Sequence, residues 1–578
     1  MNSNLNDYIN SPENQELLSR LLLDPDTIDF VMRRNPFFEN YVLQNDIAIA
    51  KVLGGRYLMA YTTQEMFESF RSILGSGVVS ISSIVLGLLD RPSLEASGII
   101  QVQEQPFLQL RGQGVLIGFV DTGIDYTLDC FKYEDGTSKI RYIYDLTAIG
   151  PPPPGYYVGV EYTQEQINAA LASNDPYSIV PSFDTSGHGT YLASVAAGRE
   201  VGDFVGAAPD AEIIAVKLRR ARPFYLNHFS VPEDQEHAYE SSDVMLGVDY
   251  ILDRARQLQR PVAICIALGS NYGSHDEFSI FAEYLSSVAN LNGVCLCVAC
   301  GNESQARHHM QGVISSAGEI QNIDIRVGEN AGDVYLSLWT EVADRVSVSV
   351  RSPTGELVGR IQSIAGLSVR SDLILERSSV LVSYFFPVEG TGGQLTVINI
   401  LDATPGVWTV TVYGDIILNG VFHCWLPMTG FVDPSVEFLA ANPYYSVTVP
   451  STMLGAITCG AFNTLQGSFY SQSSWGPTRT ANIDPDLVAP GVGVGGFFPY
   501  GYGSMDGTSV ATAITTGACA LMLQWGIING NDPSMSSYQI RAYLIRGCTR
   551  TEARTYPNNQ TGYGTLNLRQ SFNLMRQI

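Results

Sequence analysis

Basic residues are scarce in this 578-residue chain: 33 Lys and Arg stand against 57 Asp and Glu, a net charge of −24. A surface of that sign repels phosphate backbones and anionic bilayers, so neither nucleic acid nor a membrane is expected as a partner. Charged residues make up only 16% of the chain and hydrophobic ones 45%, a mixture that buries a core rather than staying disordered. No run reads as membrane-spanning. Met1–Tyr8 has neither the basic start nor the apolar stretch of a secretory leader, and the expectation is synthesis in the cytoplasm. HExxH and P-loop signatures are absent, so the chemistry of those motifs is not expected. The cysteine count, nine, is odd, and several thiols lie in apolar runs such as Val294–Cys300. They read as reduced core residues. The lone Cys-x-x-Cys spacing, Cys297 to Cys300, sits in that buried run, and no metal is expected.

What the chain does have is organised in four parts. Residues 1–40 are polar and helix-prone. Strand-like Ile47–Leu53 and Tyr57–Thr63 flank Gly54-Gly55, then come a helical Gln64–Leu74 and a β-rich Val78–Leu88, giving a small α+β unit over 1–96. From 97 to 315, short apolar strands alternate with helical patterns: Gly114–Val120, Tyr191–Ala197, Glu212–Leu218, Ser242–Leu258, Val262–Leu268. That alternation predicts a doubly wound, mostly parallel sheet. Over 316–445 helical periodicity gives way to short alternating strands such as Arg345–Val350 and Val421–Trp425, which predict an inserted all-β sandwich. Residues 446–578 return to the α/β pattern. Pro151–Pro154 reads as a stiff surface spacer.

Three distant segments carry the chemistry: Val120-Asp121-Thr122-Gly123, Ser186-Gly187-His188-Gly189-Thr190 and Asp506-Gly507-Thr508-Ser509. Each has a bland reading of its own, as an Asx turn, a glycine-flanked turn and a helix cap. Together they supply a carboxylate, an imidazole and a hydroxyl in the order Asp, His, Ser, which is the subtilisin order. With Gly301-Asn302, the chain resembles the subtilases. Asp125 competes for the acid's role, but Asp121 directly follows the strand. An aspartic-protease reading of Asp121-Thr122-Gly123 lacks its second Asp-Thr/Ser-Gly. Asn302-Glu303-Ser304 is also a formal glycosylation sequon.

The resemblance implies a subtilisin-like α/β core and a serine endopeptidase in which Ser509 attacks, His188 moves the proton and Asp121 orients the imidazole. Asn302 would donate to the oxyanion. Leu268-Gly269-Ser270, similar to the family's Ser-Leu-Gly-Gly segment, would pair with extended substrate. Val510-Ala511-Thr512-Ala513-Ile514 departs from the family's Met-Ala-Ser-Pro-His. The N-terminal unit would be a propeptide that assists folding and blocks the cleft.

The Leu94–Ile99 junction, the large β insert and the altered serine segment resemble the Csp germination proteases of anaerobic spore formers. That resemblance implies a jelly-roll insert, self-cleavage between about Leu88 and Ser97, and activation of a spore cortex-lytic hydrolase zymogen. It also implies incorporation into spores and, as partners, a protein or peptide substrate, the chain's own propeptide and related pseudoproteases. A catalytically silent regulator or germinant sensor is the alternative, as is a processing protease unrelated to germination. No cofactor is expected.

Overall fold

Strands joined by crossover helices bury both faces, which is why the central ones read as continuous Val, Ile, Ala and Cys rather than as alternating runs. In the computed structural model every residue of Leu116–Asp121, Val262–Ile266 and Val294–Ala299 is buried. Described are all residues except 1, 25, 43, 75–80, 82, 89–94, 106–107, 465 and 576–578. The main sheet has nine strands among these residues. Val262–Ile266 lies between Leu116–Asp121 and Val294–Ala299, parallel to both. Glu212–Lys217 and Ile140–Asp145 extend the sheet in parallel on one side, Ile457–Asn463 and Leu487–Pro490 on the other. Val160–Thr163 and Ser468–Phe469 add antiparallel ends.

The helix Ser241–Leu258 turns Val244, Val248, Ile251 and Leu252 inward, as its periodicity predicts. On the opposite side Thr508–Leu523 is buried along its whole length. Continued to Ile528 it is 21 residues long and apolar enough to cross a membrane, against the expectation that no run is. Such apolarity all round the axis fits a helix enclosed by protein, and this one packs in the same apolar cluster as the central strands.

The N-terminal unit is an antiparallel sheet with Tyr57–Thr63 between Thr27–Arg33 and Ile47–Leu53, beside the helices Asn2–Ile9, Pro12–Leu23 and Gln64–Leu74. Thr27–Arg33 is a correction to the polar, helix-prone reading of residues 1–40. Asp29 hides the strand in the sequence, because its carboxylate is buried against Arg222 of the main α/β domain. Of the β-rich segment, the described strand is Val85–Leu88. The proline-rich loop does more than space: Gly155 O accepts from Lys51 Nζ at 3.1 Å, and that ammonium lies 3.5 Å over the Tyr156 ring. The loop thus grips the N-terminal unit.

Between Ala299 and Ile457 the chain builds two antiparallel sheets, of six and five strands, running from His309–Val313 to Glu437–Phe438. Their facing sides close over Val348, Val382, Ile398, Trp408 and Val410. The sandwich therefore starts seven residues before the expected 316 and has its last strand at Glu437–Phe438.

Candidate active site

Asp121 is the last residue of its strand, at the carboxyl end of the parallel sheet where crossovers leave a groove. His188 opens the helix His188–Ala197. That helix start is pinned by Asp184, whose carboxylate accepts from Gly187 N (2.8 Å), Thr190 N (2.8 Å) and Thr190 Oγ1 (2.7 Å). His188 Nδ1 lies 2.8 Å from Asp121 Oδ1, both side chains nearly inaccessible. A carboxylate only accepts, so Nδ1 carries the proton and Nε2 faces away from Asp121. Thr122 braces both partners: its N–H donates to Asp121 Oδ1 at 2.8 Å, and its Oγ1 accepts from Gly189 N at 2.9 Å. A Cβ on Gly189 would stand 2.3 Å from Gly123 O, so only glycine lets the helix come this close to the strand. Asp125 instead shapes its own loop, accepting from Thr127 N, Thr127 Oγ1 and Tyr177 OH.

Ser509 is the second residue of Thr508–Leu523 and is fully buried; its Oγ lies 3.4 Å from Ala267 O. The turn into the helix passes through Gly507 at φ 140°, a conformation side-chain-bearing residues rarely adopt. First-turn N–H groups have no intrahelical acceptor. That of Thr508 donates to Asn302 Oδ1 at 3.2 Å, as does its hydroxyl, while Thr508 Oγ1 accepts from Gly301 N at 3.2 Å. Because a backbone N–H can only donate, the Asn302 amide is oriented with its oxygen on Thr508 and its NH2 turned elsewhere. Thr508, Thr122 and Asp184 are the residues the sequence reading missed. Only Thr508 and Thr122 carried a signal, as neighbours of Ser509 and Asp121.

Leu268–Gly269 pairs antiparallel with the end of the N-terminal unit, Leu268 opposite Leu88 and Gly269 opposite Gly87. The other edge of Val85–Leu88 pairs with Tyr239–Glu240. The tail is thus the middle strand of three. Ser270 does not join it: its N–H and carbonyl exchange hydrogen bonds with Val449, both 2.9 Å. This corrects the expectation of a three-residue pairing segment, since the Ser270 backbone is already spent. Most of the window expected for self-cleavage, residues 89–94, lies outside the described residues.

The model of the subtilase family matches residues 112–331 and 438–564, which carry all four segments, the first stretch also reaching into the insert. The chain belongs to the subtilases. The structure of the Clostridium perfringens CspB protease is 32% identical to it, with 84% of this chain and 98% of that one covered at a TM-score of 0.74. Subtilisin-like protease SBT2.4 of Arabidopsis thaliana is 35% identical over 99 residues, and minor extracellular protease Vpr of Bacillus subtilis (strain 168) 35% over 104. Those stretches cover 15% and 16% of this subtilase but only 12% of each curated relative.

The nine cysteines of this subtilase are free thiols, every one buried. Burial pushes Cys130 and Cys300 up to about 12, so both are protonated. Among the described residues, one group has sulfurs close enough to hold a metal ion, Cys295, Cys297 and Cys519, within 4.8 Å of one another. It is enclosed between sheet and serine helix. Cys297 and Cys300, paired by spacing, point to opposite faces of the chain, and Cys300 Sγ meets Ser473 Oγ at 3.6 Å.

Proposed function

We propose that this subtilase is a serine endopeptidase working through an acyl-enzyme, first on its own N-terminal region and then on a protein substrate. Ser509 Oγ attacks the carbonyl carbon, His188 Nε2 takes its proton and returns it to the leaving amine, and Asp121 holds the imidazole and balances its charge. The oxyanion receives the Asn302 NH2 and the Ser509 N–H at a helix start, where the dipole also favours negative charge.

The observation that carries this reading is the strand Val85–Leu88 lying in extended register against Leu268–Gly269, next to the residue whose carbonyl meets Ser509 Oγ. Leu88, opposite Leu268, is the last residue of that strand and precedes Leu89 in sequence. The bond after Leu89 is therefore the one we propose is cut first.

The likeness to the CspB protease supports the finer reading, a germination protease that activates a cortex-lytic hydrolase zymogen; that it is made in the cytoplasm and carried into spores is part of the proposal. The test is hydrolysis of an internally quenched peptide of the chain's own residues 84–95. Wild type cuts it after Leu89 and Ser509→Ala does not. Equal cleavage by both proteins would reject the proposal.

A further inference from the structure

Glu303, next in sequence to Asn302, has a carboxylate that is only 2% exposed. Its hydrogen-bond donors come from three separate parts of the molecule. His308 Nδ1, at 2.9 Å, belongs to the segment entering the β insert. Thr429 N, at 3.1 Å, belongs to a loop that follows the insert strand Val421–Trp425. Asn271 Nδ2, at 3.2 Å, follows the strand that pairs with the N-terminal tail. Two further bonds close the ring, from Leu426 N to His308 O at 2.9 Å and from Asn271 Nδ2 to Leu426 O at 3.2 Å. The Glu303 main chain is fixed as well, its N–H donating to Ser474 Oγ at 2.9 Å.

Burial alone would push this carboxyl up, but the hydrogen bond and charge of His308, with the bonds from Thr429, hold it below the ordinary glutamate range. The group is thus an ion in a dry site. Such an ion is stable only while its donors stay placed, so the carboxylate ties the root of the insert and Asn271 to the chain segment that carries Asn302.

We propose that Glu303 is a positioning residue that aims Asn302 and makes oxyanion stabilisation depend on the seating of the β insert. The proposal rests on the reading of Asn302 as an oxyanion donor. A brace for stability alone would leave kcat untouched in the folded enzyme.

The test is a double-mutant cycle on the full chain, read as kcat and KM for the quenched 84–95 peptide, with thermal unfolding recorded for each protein. Glu303→Gln is expected to lower kcat by about tenfold or more with KM unchanged, and to have no further effect in an Asn302→Ala background. Should Glu303→Gln fail to fold, Glu303→Asp, which keeps the charge and shortens the reach, carries the same cycle. Equal losses in both backgrounds, or a rise in KM at constant kcat, would overturn the proposal and leave the role of Asn302 standing. A silent Asn302→Ala would remove the oxyanion reading and the proposal with it.

Discussion

Arg222 of the catalytic core and Asp29 of the N-terminal unit form an ion pair that crosses the boundary between the two, with both side chains buried. Glu240 shares the same guanidinium nitrogen at 3.1 Å, and Ser242 donates to the other Asp29 oxygen. Removing one member of a buried pair costs roughly 3–5 kcal/mol when the other is left unpaired, and less here because Glu240 still faces Arg222. Asp29→Ala is therefore expected to lower the unfolding temperature and to speed loss of the N-terminal unit after processing. Size-exclusion chromatography of processed protein reads the second effect, and an unchanged complex would contradict the role given to this pair.

The catalytic assignment makes a steeper prediction. Ser509→Ala and His188→Ala should each reduce peptide hydrolysis by ~10⁴–10⁶, and the double variant should be no slower, because the members act as one unit. Asn302→Ala should cost ~10²–10³. Steady-state kinetics of the four proteins checks the pattern.

Thr508 offers an intermediate case. Thr508→Val removes the hydroxyl from Asn302 Oδ1 and from Gly301 N but leaves the backbone donor, so its kcat should fall by about tenfold, less than for Asn302→Ala. Thr508→Ser keeps the hydroxyl and should stay near wild type. A Thr508→Val enzyme of full activity would show that the backbone bond alone orients the amide.

Acid should loosen the insert. His309 Nδ1 meets Asn442 O at 3.1 Å and Nε2 meets His423 Nδ1 at 3.1 Å, an arrangement that suits two neutral rings. Burial pushes His309 down to about 3, and burial, with a second imidazole beside it, pushes His423 to about 2. Unfolded histidines take up protons below about pH 6.5, whereas these do not until far lower. Their contribution to stability is thus complete above about pH 6.5 and shrinks as pH falls, by about 1.4 kcal/mol per pH unit for each ring. Urea unfolding between pH 7 and pH 4 should show a slope of that sign, and His309→Gln with His423→Gln should reduce it, His228 and His275, both pushed down to about 4, supplying the rest.

Legibility in the sequence followed how local each determinant is. The segments of Asp121, His188 and Ser509 stand out in the sequence because the local geometry of each is built by immediate neighbours, Thr122, Gly189 and Gly507, so a short segment carries both the group and its setting. Strands with two buried faces and the periodic Ser241–Leu258 were readable for the same reason. Thr27–Arg33 was not, because the partner that makes a buried Asp29 tolerable lies 193 residues away at Arg222. Nor could the spacing of Ser270 show that Val449 takes its backbone. The Glu303 cluster joins residues 271, 303, 308 and 429, and nothing in any one segment announces the others.

Whether Ser509 cuts this chain's own peptide is read by N-terminal sequencing with intact mass of wild type beside Ser509→Ala. A wild-type core beginning at Asp90 and a Ser509→Ala chain that remains whole are the expected results. A wild type that stays intact, or a Ser509→Ala protein clipped at the same bond, would contradict self-cleavage.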